Sequence, residues 1–433
     1  MKKDNLSVCL LNDSFPPVID GVANAVLNYA SMIQDQLGSA VVGVPDYPGT
    51  TDNYPFPVVR YPSFDTTKIV GYRAGYPFSA RAMDALADFS PQIIHTHCPV
   101  MSTVMARALR ERLDVPVVFT YHTKFDIDIR RALSGQLLQQ TAIRLLVDNI
   151  SACDEVWVVS RGAGENLRSL GYAGDYIVME NGVDFPRGPV SRDRCSALRK
   201  ELGLPEQVPV YLFVGRMMWY KGVHIILDAL AALRQSGHDF RMLMVGDGME
   251  RQEMEQKAAQ LRLDDICIFT GAVHDREKLR TLFSLSDLFL FPSTFDTNGI
   301  VVREAAACGT ASVLVRDSCA AEGVADGVNA LLIEENAASL KALLEKKGAD
   351  RAALSRLGQQ ALEQLYLSWE DSVKRAFSRY YVVLDQYRCG HSGRSMEWSD
   401  ELYNLLDDLR KGITAARNFH ESNLRRIQEH LRR

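Results

Sequence analysis

What this chain lacks narrows it before any motif does. No apolar run approaches the ~20 residues that a membrane-spanning helix needs. The start, Met1-Lys2-Lys3-Asp4-Asn5, leads into a short strand with no long apolar segment or small-residue cleavage site. That argues against a signal peptide and for a cytoplasmic protein. Lys and Arg do not outnumber Asp and Glu, and the net charge is −5. No global basic field therefore invites nucleic acid or an anionic membrane. There is no C-x-x-C pair and no Cys/His cluster. The eight cysteines are scattered, mostly inside apolar runs, which points to buried free thiols and away from disulfides or a metal site. The dinucleotide fingerprint G-x-G-x-x-G is also missing after the first strand.

What is present is a large apolar content, 47% of 433 residues, enough for the cores of two or three domains. The most informative stretch is LFLFPSTFDTNGIVVREAAACGTASVLV, residues 288–315. Leu288–Phe291 suits a buried parallel strand. Thr294–Gly299 is a polar loop, Ile300–Cys308 a short helix stopped by Gly309, and Ser312–Val315 the next strand. In open parallel sheets, ligands bind beyond the carboxyl ends of the strands. A helix N-terminus at such an end favours an anion. Asp296 before the helix and Glu304 within it bracket the loop. The pattern suggests recognition of a phosphate and of hydroxyls together. Taken alone, an ordinary βα unit with two solvated acids would read the same.

The rest of the chain alternates strands and helices, the mark of parallel sheets with right-handed crossovers. One series runs from a strand at Leu6–Leu11, a loop at Asn12–Gly21 and a helix at Val22–Leu37 to a strand at Tyr176–Met179. Within it, Tyr61–Phe78 is expected to be irregular and carries Lys68, Arg73 and several aromatics. A linker over Pro186–Pro209 separates it from a second series that begins with the strand Val210–Val214. Two sheets of similar size imply two domains with a cleft between them, a favoured place for ligands. Two helices close the chain, Trp369–Tyr387 and Glu397–Leu431. The second is Arg-rich, with a solvated basic face or a membrane surface as its alternatives.

Polar residues recur at strand ends. Gly215-Arg216 and Lys221-Gly222 follow the first strand of the second series. An Arg and a Lys there suit a diphosphate, one as a planar fork and one as a point charge, although two surface cations would look alike. Val245-Gly246-Asp247-Gly248 makes a tight turn that could lie against a flat base or merely turn. No metal ligand set is apparent. A diphosphate leaving group is expected to be stabilised by Arg216, Lys221 and the helix N-terminus.

Taken in order, these motifs carry a resemblance. FPPVIDGVA (15–23), HTHCP (95–99), TYHTKF (120–125), NGVD (181–184), GRMMWYKG (215–222), VGDGMER (245–251), FTGAV (269–273) and LFLFPSTFDTNGIVVREAAACG (288–309) together resemble the large retaining, nucleotide-sugar-dependent glycosyltransferase family. This family, the glycosyl transferases of group 1, includes phosphatidylinositol mannosyltransferases, sucrose synthases and bacterial glycolipid synthases. The resemblance implies the α/β GT-B fold: two Rossmann-like doubly wound domains facing a cleft, with a C-terminal helical extension. The expected boundaries are 1–187 for the acceptor domain, 188–365 for the donor domain and 366–433 for the helices, the first crossing back to the N-terminal domain.

The resemblance also implies roles. Glu304 matches the second Glu of a paired-carboxylate motif and would bind the donor ribose. The first Glu falls on Asp296, a departure that shortens the side chain by one methylene. Asn298, Gly299 and Ile300 fall where backbone N–H groups surround the sugar and phosphate. Arg216 and Lys221 match diphosphate cations, and Gly246 joins the donor set. His122 matches a His beside the transferred sugar. Gly21 matches a glycine that lets backbone near the phosphate. Asp20 and Lys124 are candidates for the acceptor side, Asp20 with the alternative of a turn residue. The catalytic set is therefore His122, Asp296, Arg216 and Lys221, with no cofactor or metal. The expected partners are a nucleotide sugar and a lipid, sugar or sugar-phosphate acceptor. The basic, aromatic segments are compatible with docking to the inner face of a membrane. Two rivals remain: a sugar-nucleotide epimerase of the same fold, and a non-catalytic sugar-nucleotide-binding protein, which the Asp296 departure favours.

Overall fold

The computed structural model describes residues 6–18, 20–67 and 73–391. Lys68, the helix expected over Glu397–Leu431 and its Arg-rich stretch lie outside these residues. The chain falls into two compact units. Among the described residues, one takes those up to Val158, Gly164–Met179 and Val373–His391; the other takes Val159–Ala163 and Glu180–Ser372. The break at Met179 precedes the boundary expected at residue 187, and the second unit runs past the 365 expected for its end.

The first unit holds a parallel sheet built from β1 (Ser7–Leu11), β2 (Ser39–Pro45), β3 (Val58–Tyr61), β6 (Ile93–Thr96), β7 (Val117–Tyr121), β8 (Glu155–Val158) and β9 (Ile177–Val178). Its order is β3-β2-β1-β6-β7-β8-β9. Val8, Cys9, Leu10 and Leu11 are all fully buried, as strands covered on both faces require. Tyr61–Phe78, expected to be irregular, contains a two-stranded antiparallel pair, β4 (Ser63–Phe64) and β5 (Ala74–Gly75). The helices are α1 (Gly21–Met32), α2 (Ala80–Asp88), α3 (Met101–Leu113), α4 (Phe125–Ala132), α5 (Gln136–Ser151) and α6 (Arg161–Ser169), which starts among second-unit residues. The helix expected over Val22–Leu37 is α-helical to Met32 and ends in a π turn, Ile33–Leu37. The Gly38 N–H closes that turn on the Ile33 carbonyl at 2.8 Å.

The second unit holds β10 (Val210–Val214), β11 (Arg241–Val245), β12 (Cys267–Gly271), β13 (Leu288–Phe291), β14 (Ser312–Val315) and β15 (Leu331–Ile333), all parallel, in the order β12-β11-β10-β13-β14-β15. Its helices are α7 (Arg192–Glu201), α8 (Val223–Gln235), α9 (Arg251–Gln260), α10 (Arg276–Leu285), α11 (Ile300–Ala307), α12 (Ala337–Lys347) and α13 (Arg351–Gln364). A last helix, α14 (Trp369–Arg388), joins the first unit from Val373. Neither α4 nor α13 was legible in the sequence. Gly358 interrupts the pattern of α13, and a Cβ there would lie 1.9 Å from the Gly309 carbonyl oxygen. The glycine that obscures the helix is what lets it pack.

Strand order reverses once in each sheet, between β1 and β6 and between β10 and β13. The loops leaving the two strands at a reversal diverge and open a crevice. Five cysteines are buried, Cys195 and Cys319 are partly exposed, Cys389 is exposed, and all eight are free thiols. No helix among the described residues is long and apolar enough to cross a membrane.

The turn after β11 is a point of close backbone approach. Gly246 has φ +136°, and a Cβ on it would meet the Gly215 carbonyl oxygen at 1.9 Å. Gly246→Ala must therefore adopt a strained backbone and push β10 and β11 apart at their ends. We expect a loss of ~3 kcal/mol or more in unfolding free energy, measured by urea titration. A variant as stable as the parent would contradict this packing.

Candidate active site

In the second unit the candidate residues gather at the reversal between β10 and β13. From β10 the chain passes Gly215 and Arg216 and makes a 3-10 turn, Trp219–Lys221, that leads into α8. Arg216 is exposed, and its guanidinium has no hydrogen-bond or ion-pair partner among the described residues. Lys221 is only 7% exposed. Its Nζ lies 5.7, 6.0 and 5.7 Å from the ring centres of Tyr220, Phe291 and Phe295, and a buried ammonium of this kind needs a counter-charge. That charge comes from the other loop: Asp296 Oδ1 lies 2.6 Å from Lys221 Nζ. Buried Ser293 donates to Asp296 Oδ2 at 2.6 Å. Both carboxylate oxygens are thus engaged, and the rotamer is held from two sides.

Beyond Asp296, Gly299 takes a left-handed conformation and starts α11 with no side-chain cap. Ile300 is the first residue of that helix. Asn298, just before it, is 9% exposed, and its Nδ2 is buried without a hydrogen-bond partner. An uncapped helix N-terminus beside an unpartnered carboxamide N–H offers several donors to an anion. Glu304 lies further along α11. Burial pushes its pKa up, and the nearby Arg276 guanidinium opposes that shift. Arg276 Nη2 binds Glu304 Oε1 at 2.7 Å and also pairs with Asp184, while its guanidinium sits 4.3 Å over the Phe185 ring. Gly246 packs on Gly215, the residue before Arg216.

Arg276 and Ser293 escaped the sequence reading. A signal for Arg276 exists: it is the first residue of α10, directly after the N-cap Asp275. A cation at a helix N-terminus opposes the helix dipole, so a local reason for it is lacking and a distant partner is implied. Nothing marks Ser293 in the sequence.

In the first unit the same logic gives a different result. Asp13, in the loop after β1, accepts from Ser102 N at 2.7 Å and Met101 N at 3.0 Å, which caps α3. Asp20 Oδ1 accepts from Val22 N at 2.8 Å and Ala23 N at 2.7 Å, which caps α1. Asp20 is thus a helix cap, and the N-terminus of α1 already holds a carboxylate. Gly21 opens α1, with open space where a Cβ would stand. Lys124 occupies the N-cap position of α4 and is partly buried.

His122, after β7, is 6% exposed, and its Nε2 lies 2.9 Å from Nδ1 of buried His97. His97 in turn packs against His95, with ring centres 4.0 Å apart and the rings tilted by 33°. His95 bonds Tyr380 Oη at 2.6 Å and Thr120 Oγ1 at 2.7 Å. Burial lowers the pKa of His122 to about 3 and holds those of His95 and His97 well below the usual value, so all three are neutral.

Two family models match most of the chain between them. The model described as Glycosyl transferases group 1 matches residues 196–364, and that described as Glycosyltransferase Family 4 matches residues 19–187. The chain belongs to the group 1 glycosyltransferases, enzymes of the GT-B fold. It is 23% identical over 310 residues, 70% of each chain, to an alpha-monoglucosyldiacylglycerol synthase of Streptococcus pneumoniae. It is 30% identical over 257 residues, 58% of this chain and 64% of the other, to a GDP-mannose-dependent alpha-(1-6)-phosphatidylinositol dimannoside mannosyltransferase of Mycobacterium tuberculosis. Among solved structures, Anabaena HepE in complex with UDP superposes with a TM-score of 0.69 at 20% identity, over 87% of this chain and 100% of that one. At that identity the likeness concerns the fold.

The neutral histidines set a pH dependence. Their ordinary pKa in an unfolded chain is about 6.5, so below that pH the unfolded state binds protons that the folded state refuses. Stability is full above about 6.5 and falls as the pH drops from there toward the folded value of about 3 for His122. The buried carboxyls of Asp13 and Glu304, raised by burial, act in the opposite direction at the acid end. We expect unfolding free energy to decline between pH 7 and 5 by about 1 kcal/mol or more per pH unit, and His122→Gln to make the decline shallower. A flat profile over that range would exclude neutral histidines in the fold.

Proposed function

We propose that this glycosyltransferase moves a hexose from a nucleoside-diphosphate sugar to an acceptor hydroxyl with retention of configuration and without a metal ion, and that the acceptor is a lipid or a membrane-linked sugar. The observation that carries the reading is the arrangement around β10 and β13: an exposed unpartnered Arg216, the buried Lys221, and the uncapped start of α11 with the unpartnered amide of Asn298. These groups suit the two phosphates of a leaving diphosphate. Glu304, a buried acceptor of hydrogen bonds, suits the ribose hydroxyls.

In the proposed step the bond from the anomeric carbon to the phosphate oxygen breaks, and the acceptor oxygen bonds to that carbon on the same face. The acceptor proton passes to the departing phosphate oxygen. Arg216, Lys221 and the α11 donors offset the charge that grows on the phosphate, which is where catalysis of this kind gains most. A dedicated side-chain base is not required. His122 remains neutral and serves as an uncharged hydrogen-bonding partner for the sugar. Asp296, tied to Lys221 and Ser293, acts as an orienting carboxylate rather than a nucleophile. The activities of the Streptococcus and Mycobacterium relatives, both on lipids, support the acceptor class. A non-catalytic binder would keep the same donor contacts.

The test is a thermal-shift and turnover screen of UDP-, GDP- and ADP-sugars, with and without EDTA, followed by anomer analysis of the product. Stabilisation by one nucleotide class, slow sugar release unaffected by EDTA and a retained anomer are expected. Binding without release or transfer would favour the non-catalytic reading, and no stabilisation by any sugar nucleotide would overturn the proposal. Arg216→Ala is expected to lower kcat/KM about 100-fold at unchanged melting temperature, because that side chain holds nothing in the fold. Glu304→Ala is expected to weaken donor binding. If nucleotide-sugar affinity is unaltered in the Glu304 variant, the donor assignment fails.

A further inference from the structure

Neighbouring strands of the first sheet deliver three histidines to one place. His95 lies on β6 and His97 just beyond its end, two residues apart and so on one face. His122 follows β7, the parallel neighbour on which His95 pairs with Val118. That register brings each of the two histidines to the residue 25 positions further on: His95 Nε2 lies 2.7 Å from Thr120 Oγ1, and His97 Nδ1 lies 2.9 Å from His122 Nε2. The His97 backbone is held too, its N–H donating to the Leu11 carbonyl at 2.9 Å. Both ring nitrogens of His95 have partners, Tyr380 being the other. His97 is different: its Nε2 is buried and has no hydrogen-bond partner among the described residues.

That orphan nitrogen decides how the pair shares its protons. A neutral imidazole carries one N–H donor and one bare acceptor nitrogen, and burial keeps both His97 and His122 neutral. Two arrangements satisfy the 2.9 Å bond between them. In the first, His122 Nε2–H donates to His97 Nδ1, and the His97 proton sits on Nε2 as a buried donor without an acceptor. In the second, His97 Nδ1–H donates to His122 Nε2, and the nitrogen left over is a bare acceptor. Buried N–H groups without an acceptor are rarer than acceptors without a donor. Tyr29 packs edge-to-face with His97, ring centres 5.4 Å apart, but a contact to an aromatic face replaces only part of a hydrogen bond. The second arrangement therefore costs less.

We propose that His97 is a positioning residue for His122: its Nδ1–H donates to His122 Nε2 and so fixes the His122 proton on Nδ1. The hydrogen bond at one ring nitrogen sets the state of the other. His122 then meets a sugar oxygen as a donor from Nδ1 and has no bare nitrogen with which to take a proton from the acceptor hydroxyl. The role rests on the reading of His122 as a partner of the transferred sugar; the placement of the proton does not.

The first test reads the proton directly and needs no turnover. Long-range proton–nitrogen NMR of the full chain, labelled at the histidine nitrogens and kept at neutral pH without ligand, separates protonated from bare ring nitrogens. His122→Gln and His97→Asn assign the two sets of signals. Both rings are expected to carry their proton on Nδ1. A His122 proton on Nε2, or a doubly protonated His122, would overturn the proposal. The second test is sugar release from UDP-glucose and GDP-mannose. His97→Leu, which removes the donor, is expected to lower kcat about tenfold with KM little changed. His97→Asn, whose amide N–H stands where Nδ1–H stood, is expected to restore most of kcat. Parent-like kcat in His97→Leu, or an equal loss in both variants with a lowered melting temperature, would leave His97 as packing alone. A fully active His122→Ala would instead remove the reading of His122 on which the role rests, with the proton still where NMR places it.

Discussion

A buried bond between an ammonium and a carboxylate, Lys221 to Asp296, ties together the two loops that leave the second sheet where its strand order reverses. Removing the carboxylate would strand the Lys221 ammonium among Tyr220, Phe291 and Phe295, where an unpaired ion is costly. The pair therefore fixes the exit of β13, and that exit decides where α11 begins. Ser293, bound to the second oxygen of Asp296, removes the remaining freedom of the carboxylate. The site is preorganised by contacts that the chain makes with itself.

The two units handle their helix N-termini differently. In the first, Asp13 and Asp20 cap α3 and α1, so backbone donors at that reversal already hold carboxylates. In the second, α11 has no cap, and Asn298 beside it keeps an unpartnered amide. A capped terminus is stable and closed to anions. An uncapped one leaves donors available, which costs stability and permits a ligand. One fold thus yields a closed and an open helix end from the same kind of strand–loop–helix step.

Much of this was legible in the chain. The runs Val210–Val214, Leu288–Phe291 and Ser312–Val315 coincide with the strands, because a parallel strand buried on both faces must be continuously apolar. The helices over Met101–Leu113 and Gln136–Ser151 were readable from their periodicity. Helix α13 was not, since Gly358 breaks its pattern for a packing reason visible only against Gly309. The short pair β4 and β5 has too few residues to show an alternation.

The sequence by itself determined the two α/β series, the places of Arg216, Lys221 and Asp296 beyond strand ends and of Glu304 in the helix that follows, and the absence of a long apolar span. These follow from local periodicity and from residue chemistry, which are written residue by residue. Only the tertiary structure decided the partners: Asp296 with Lys221, Glu304 and Asp184 with Arg276, and His122 with His97. Such pairs join residues from different loops and strands, and their distances are set by strand order and register, which no single stretch of sequence encodes. The exposed Leu137, Leu138 and Leu145 of α5 belong to the same class. The pattern shows that they are apolar, but only packing shows which of the helix's two apolar sides the core covers.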